Sequence, residues 1–325
     1  MSDGGLGIRA CRTMTFWPNS GHSPSPVVPN IGSPTMALLN IGSLLNGTAQ
    51  NSVLDLGVVA NLPGVVSLDG AVDVLTPAGT ALNVDADLQL LSGTDVGDVL
   101  DAVLGGGLIF GQDGNDTLNG NAGNDVMDGG SGDDTLLGGP GNDTLLGAGG
   151  NDFIDGGSGD DLIFGGRGSD TIVGNGGQDT VFGGQDADLI NYTVSPDRAI
   201  LLGNMGNDLI YGGSGADTIF GGQDEDRIFG GGGDDIINGD LGNDIITGGS
   251  GADRFVFNNP INGLLSGSDR ITDFNAGTGD RLALNGQSYF LSSDASGNAV
   301  LTLSGGGNVT LEGVAAGSVQ SSWFA

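Results

Sequence analysis

An all-β fold, a parallel solenoid of short stacked coils with β-rich segments at either end, is predicted by three features of the 325-residue sequence. A nine-residue repeat runs through residues 108–256. One position of that repeat is apolar in every copy. Glycine supplies 67 residues, about a fifth of the chain, which opposes helix because each interior glycine costs about 0.5–1 kcal/mol relative to alanine.

The segments follow in order. Residues 1–35 hold the only cysteine and histidine, Cys11 and His22, and five of the ten prolines. They read either as a disordered leader or as an extension upstream of a start at Met36. Phe16-Trp17-Pro18-Asn19 stands where a signal peptide would carry its apolar stretch, so no secretory signal peptide is expected. Residues 36–107 read as a β-rich cap or domain. The stretch from Ala81 to Leu90 alternates apolar and polar, the period of a half-buried strand, and Val65–Leu68 and Ala71–Val74 are shorter pieces of the same kind.

In the array, one aspartate closes each repeat: Asp116, Asp125, Asp134, Asp143, Asp152, Asp161, Asp170, Asp179 and Asp188, then Asp208, Asp217, Asp226, Asp235, Asp244 and Asp253. The residue five before each is glycine in all fifteen, and the residue two after is apolar in all fifteen, from Leu118 to Phe255. By chance the apolar match would arise with a probability on the order of 10⁻⁷, which settles the period. The glycine-rich stretches suit turns that enter positive φ, and the second turn position is glycine nine times and asparagine three times, at Asn121, Asn175 and Asn204. The three residues after each aspartate, such as Thr135-Leu136-Leu137, form a very short strand. Strand, turn, strand and turn close a coil in 18 residues, and coils stacked about 4.8 Å apart bury the apolar column that no single repeat could bury alone.

Stacking also aligns the aspartates in two columns, which repel unless cations intervene. The acids are 38 aspartates against two glutamates, so a short reach is needed and not charge alone. Carboxylates joined by turn carbonyls, among them those of Gly111, Gly129, Gly147, Gly165, Gly183, Gly212, Gly230 and Gly248, form a hard oxygen set suited to Ca²⁺. Softer metals would need the Cys and His that are missing. From Asp188 to Asp208 the step is 20 residues. Tyr192 to Ala199 then reads as an eight-residue, glycine-free turn without calcium on one edge. One ion for each stacked pair gives about 12 Ca²⁺. Full loading would take the formal charge from −32 to about −8. Upstream, Gly93 to Asp98 lies in phase with the array and reads as a degenerate first turn.

The repeats resemble the GGxGxDxUx nonapeptide of repeats-in-toxin (RTX) proteins. The resemblance implies a parallel β-roll with Ca²⁺ between the turns of adjacent coils. Asp269-Arg270-Ile271-Thr272-Asp273-Phe274 and Gly279-Asp280-Arg281-Leu282 resemble the segment that follows the roll in serralysin-like, type I-secreted members. The resemblance therefore implies a type I secretion signal and export apparatus. Asp98, Asp269, Asp273 and Asp280 are further candidate ligands. Residues 257–325 are expected to form a β cap, with Val300–Leu303 and Asn308–Leu311 pairing around Gly305-Gly306-Gly307.

No enzyme is expected. Without lysine there is no P-loop or Schiff base, one histidine cannot make HExxH, and GxSxG is absent. The net charge of −32 opposes nucleic-acid binding, and no apolar run reaches the length of a transmembrane segment. The expected function is a secreted, extracellular or cell-surface calcium-binding protein that folds on meeting calcium, with a structural or adhesive role through cell surface, matrix or self-assembly. The alternative is an accessory or secretion module of an RTX enzyme or toxin whose activity lies in residues 36–107 or on a partner.

Overall fold

In the computed structural model, residues 67–69, 89–102, 105–257 and 267–325 are described. The chain's first 66 residues, with both readings of the leader, lie outside them, as do Ala71–Val74 and most of the alternating stretch before Gln89.

The described residues form two sheets of 12 and 13 strands; from Gln89 to Ala283 consecutive strands alternate between them, and within each sheet the neighbours along the array are parallel. Thr135–Pro140 pairs with Phe153–Ser158, placing Leu136 on Ile154, and Leu162–Arg167 pairs with Thr180–Gln185, placing Ile163 on Val181. The register is therefore the 18-residue step read from the sequence. All fifteen apolar positions two after the aspartates are fully buried. Together they form one continuous core that runs between the sheets.

The strands are longer than expected. Most span six residues, not three, because pairing continues past the apolar triplet into the glycines: Leu136↔Ile154 is followed by Gly139↔Gly157. A positive φ at the second turn position bends the strand without ending its ladder. Asn121, Asn175 and Asn204 share that conformation with φ of 64°, 69° and 78°. Gln112, Ala148 and Asp240 also adopt it.

The parallel ladder exceeds residues 108–256 in both directions. Upstream, Gln89–Ser92 pairs in parallel with Gly107–Asp113, and Val99–Asp101 with Thr117–Asn119, so the degenerate first turn is already part of the roll. Ser67–Asp69 lies antiparallel on Gln89–Ser92. Downstream, Ser268–Ile271 and Arg281–Ala283 extend the two sheets. The predicted hairpin forms, with Leu301 opposite Val309, and its second strand joins Ser268–Ile271. The last residues close the end: Trp323 packs on Phe274 at 5.3 Å, Phe324 stacks on Tyr289 at 4.7 Å, and the Ala325 amide donates to the Leu282 carbonyl at 3.0 Å. Among the described residues no helix is long and apolar enough to cross a membrane.

Candidate metal centre

All fifteen repeat aspartates lie inside the roll, each between 1% and 3% exposed. Their position follows from the inward-facing glycine five residues earlier. A Cβ on Gly138 would strike the Asp143 Oδ2 atom and the Gly156 carbonyl oxygen, so only glycine leaves room for the carboxylate. The repeat thus couples two positions: the missing side chain of one holds the carboxylate of the other.

Each carboxylate is half satisfied. The Asp134 amide donates to Asp152 Oδ1 at 2.8 Å, and Asp152 in turn donates to Asp170 Oδ1 at 2.9 Å. The same bond climbs the column from Asp98 to Asp116 and crosses the 20-residue step from Asp188 to Asp208 at 2.8 Å. On the other edge it links Asp125, Asp143, Asp161 and Asp179. It resumes from Ala199 to Asp217, then reaches Asp235 and Asp253. The second oxygen, Oδ2, is buried and has no hydrogen-bond partner in any of the fifteen. A buried, unsatisfied carboxylate oxygen is costly, and here it recurs once per repeat.

Burial pushes these carboxyls up, against the opposing effect of the amide bond. Asp134, Asp143 and Asp152 rise to about 6, while Asp161, Asp188, Asp226 and Asp235 rise to about 8. For Asp161 the charges of Asp179 and Asp143, its neighbours in the stack, add to the desolvation.

Backbone oxygens complete the set. The Gly129 carbonyl oxygen lies beside Asp116 Oδ2, on the inner side of Gly111, and those of Gly147, Gly165 and Gly183 stand likewise beside Asp134, Asp152 and Asp170. The Gly111 carbonyl has the same place beside Asp98, and those of Gly230 and Gly248 beside Asp217 and Asp235. Gly212 instead stands in register with Tyr192. Among the described residues no three acidic, His or Cys side chains converge on one point, so an ion here would take carboxylates from stacked coils plus carbonyls. Unsatisfied hard oxygens facing glycine carbonyls fit Ca²⁺.

The four additional aspartates divide. Asp98 is in the column but half-buried, and its Oδ2 already accepts from the Thr94 amide and hydroxyl at 2.7 and 2.9 Å. Asp269 and Asp280 extend the two columns, receiving the amides of Asp244 and Asp253 at 3.2 Å each. Burial and the Asp244 charge hold the Asp269 carboxyl well above the usual range. Asp280 Oδ2 accepts from the Asn275 amide. Asp273 stands apart from the columns, with its two oxygens held by the Gly248 and Gly249 amides.

Residues 103–136, 128–163, 137–172, 155–190, 202–237 and 220–255 match the family described as RTX calcium-binding nonapeptide repeat (4 copies). The chain carries RTX calcium-binding repeats. The RTX matches stop at 190 and resume at 202, on either side of the interruption. Among solved structures, the chain is similar to the AlgE6R3 subunit from the Azotobacter vinelandii mannuronan C5-epimerase. The two are 27% identical, over 42% of this chain and 82% of that one, with a TM-score of 0.26. None of the curated proteins matches the chain.

Sequence reasoning missed two things about this centre. Alignment of the aspartates was visible, but not that an amide of the adjacent coil holds Oδ1 and leaves only Oδ2 for a metal. The burial of Tyr192 in the place of an inward glycine was also missed, although its position five residues before a repeat end, once the two extra residues are allowed for, marks it.

Proposed function

We propose that this protein is a secreted calcium-binding β-roll without catalytic activity of its own. It folds on reaching extracellular calcium and then acts as a structural or adhesive component of a cell surface or matrix. The observation that carries the reading is the fifteen buried Oδ2 atoms without partners, arranged in two columns. In this reading Asp116 to Asp253 supply the carboxylates, the inward glycines supply carbonyls, and Asp98, Asp269 and Asp280 are the ends of the columns. One ion per stacked pair gives about 12.

Metal binding is then folding free energy, since the sites do not exist in the extended chain. Extracellular modules bind calcium at about 10⁻⁴–10⁻³ M, so the chain would pass a type I export apparatus unfolded and close outside. Calorimetric titration with calcium, paired with sedimentation, tests the proposal. About 12 ions and calcium-dependent self-association or attachment to cells are expected. A chain that binds no calcium would end the calcium reading, and a calcium-loaded monomer that attaches to nothing would end the adhesive one.

A further inference from the structure

The interruption replaces both members of the coupled pair at once. Once its two extra residues are counted, Tyr192 stands where every repeat has glycine, and Ala199 stands where every repeat has aspartate. The backbone confirms the equivalence. The Tyr192 amide donates to the Tyr211 carbonyl at 2.9 Å as the Gly120 amide does to Leu137 at 2.8 Å. The Ala199 amide donates to Asp217 Oδ1 at 2.7 Å as the other aspartate amides do along the column.

Tyr192 is fully buried. A Cβ on Gly174, one coil back, would run into its ring, whereas at Gly165 or Gly183 the same point is crowded by that repeat's own aspartate oxygen. The ring therefore occupies the space beside the Asp179 carboxylate. Its hydroxyl interacts electrostatically with that carboxylate without reaching full hydrogen-bond geometry. On the far side of the missing aspartate, the Arg198 guanidinium acts favourably on the charge of Asp217. The loop is tied down by two bonds, from the Ser195 amide to the Tyr192 carbonyl at 2.8 Å and from the Gly177 amide to Asp197 Oδ2 at 3.1 Å.

We infer that Tyr192 is a built-in plug that takes the place of calcium in this coil, so that one edge of the roll binds its ions in a single run and the other in two blocks, Asp125–Asp179 and Asp217–Asp253. The inference rests on the calcium reading above. The ring fills the space beside Asp179 that an ion would need, and alanine at position 199 removes both a ligand and a like charge from the column.

The test is calorimetric stoichiometry on the full chain with calcium as the only added metal. Tyr192→Phe, which keeps the ring, should bind as many ions as the natural sequence; loss of an ion would make the hydroxyl a ligand and overturn the plug. Tyr192→Gly with Ala199→Asp restores the repeat pair and should bind about two more ions, one for each stacked pair regained. A folded double variant that gains none would overturn the inference. Ala199→Asp alone should gain none, because the ring still fills the space; a gain equal to that of the double variant would also overturn it. If the double variant does not fold, the Tyr192→Phe count decides. A natural chain that binds no calcium at all fails the calcium reading first and takes this inference with it.

Discussion

Asp152 carries opposite consequences in the two metal states. With calcium, its free Oδ2 is a ligand; without calcium, it is a buried oxygen with nothing to bond. Asp152→Asn keeps an acceptor for the Asp134 amide and removes the charge. It should lower calcium stoichiometry and, in chelator at about pH 5, where the metal-free roll is still folded, raise the melting temperature. Asp133→Ala, at the exposed neighbouring position, should leave the stoichiometry unchanged. A calorimetric titration beside a thermal melt in chelator distinguishes the two. Ala148 gives a separate test: it is exposed and held at φ 74°, where glycine sits in nine of the fifteen repeats. Ala148→Gly should stabilise the roll by about 0.5–1 kcal/mol in chemical denaturation, the left-handed penalty less the entropy cost of glycine. Single positions were readable where the constraint is local. The preference for aspartate over glutamate and the asparagines of the turn follow from reach and φ. The amide that satisfies Oδ1 comes from a residue 18 positions earlier, across a stack whose geometry no local pattern displays.

The strands derive their stability from stacking more than from their own length. Ile172 is fully buried between Ile154 and Ile190 of adjacent coils. Ile172→Ala should destabilise the calcium-loaded roll by about 2–5 kcal/mol and leave the number of bound ions unchanged, checked by denaturation and calorimetry together. A fall in stoichiometry would mean that core and metal sites are not separable. The period, the parallel register and the C-terminal hairpin were evident from counting and alternation. The length of the strands was not. The glycines after each apolar triplet read as turn, yet they continue the ladder, because parallel neighbours bend at the same place and keep their bonds. For the same reason the roll's upstream coil was legible only through the in-phase Gly93 to Asp98, and its continuation to Ala283 was hidden: these coils keep the stacking but lose the nine-residue signature.

The whole molecule stacks like charges, and pH should reveal it. Folded-state carboxyl values are raised, to about 6 at Asp152 and about 8 at Asp226, from an ordinary value of 3.8. The metal-free roll therefore holds more protons than the unfolded chain between those limits, and its stability must fall as pH rises. In chelator, the roll should be most stable below about pH 4 and lose stability progressively through pH 6 to 8. Protons and calcium compete for the same oxygens, so the calcium needed for half-saturation should rise as pH falls. Chelator melts between pH 4 and 9 check the sign; stability that increases with pH would show that the carboxylates are not buried as described. The most direct measurement is far-ultraviolet circular dichroism of the full chain at pH 7.5, first after exhaustive chelation and then through a calcium titration. The account predicts a largely unfolded spectrum that converts cooperatively to β structure as calcium is added. The same β spectrum before and after chelation would contradict it.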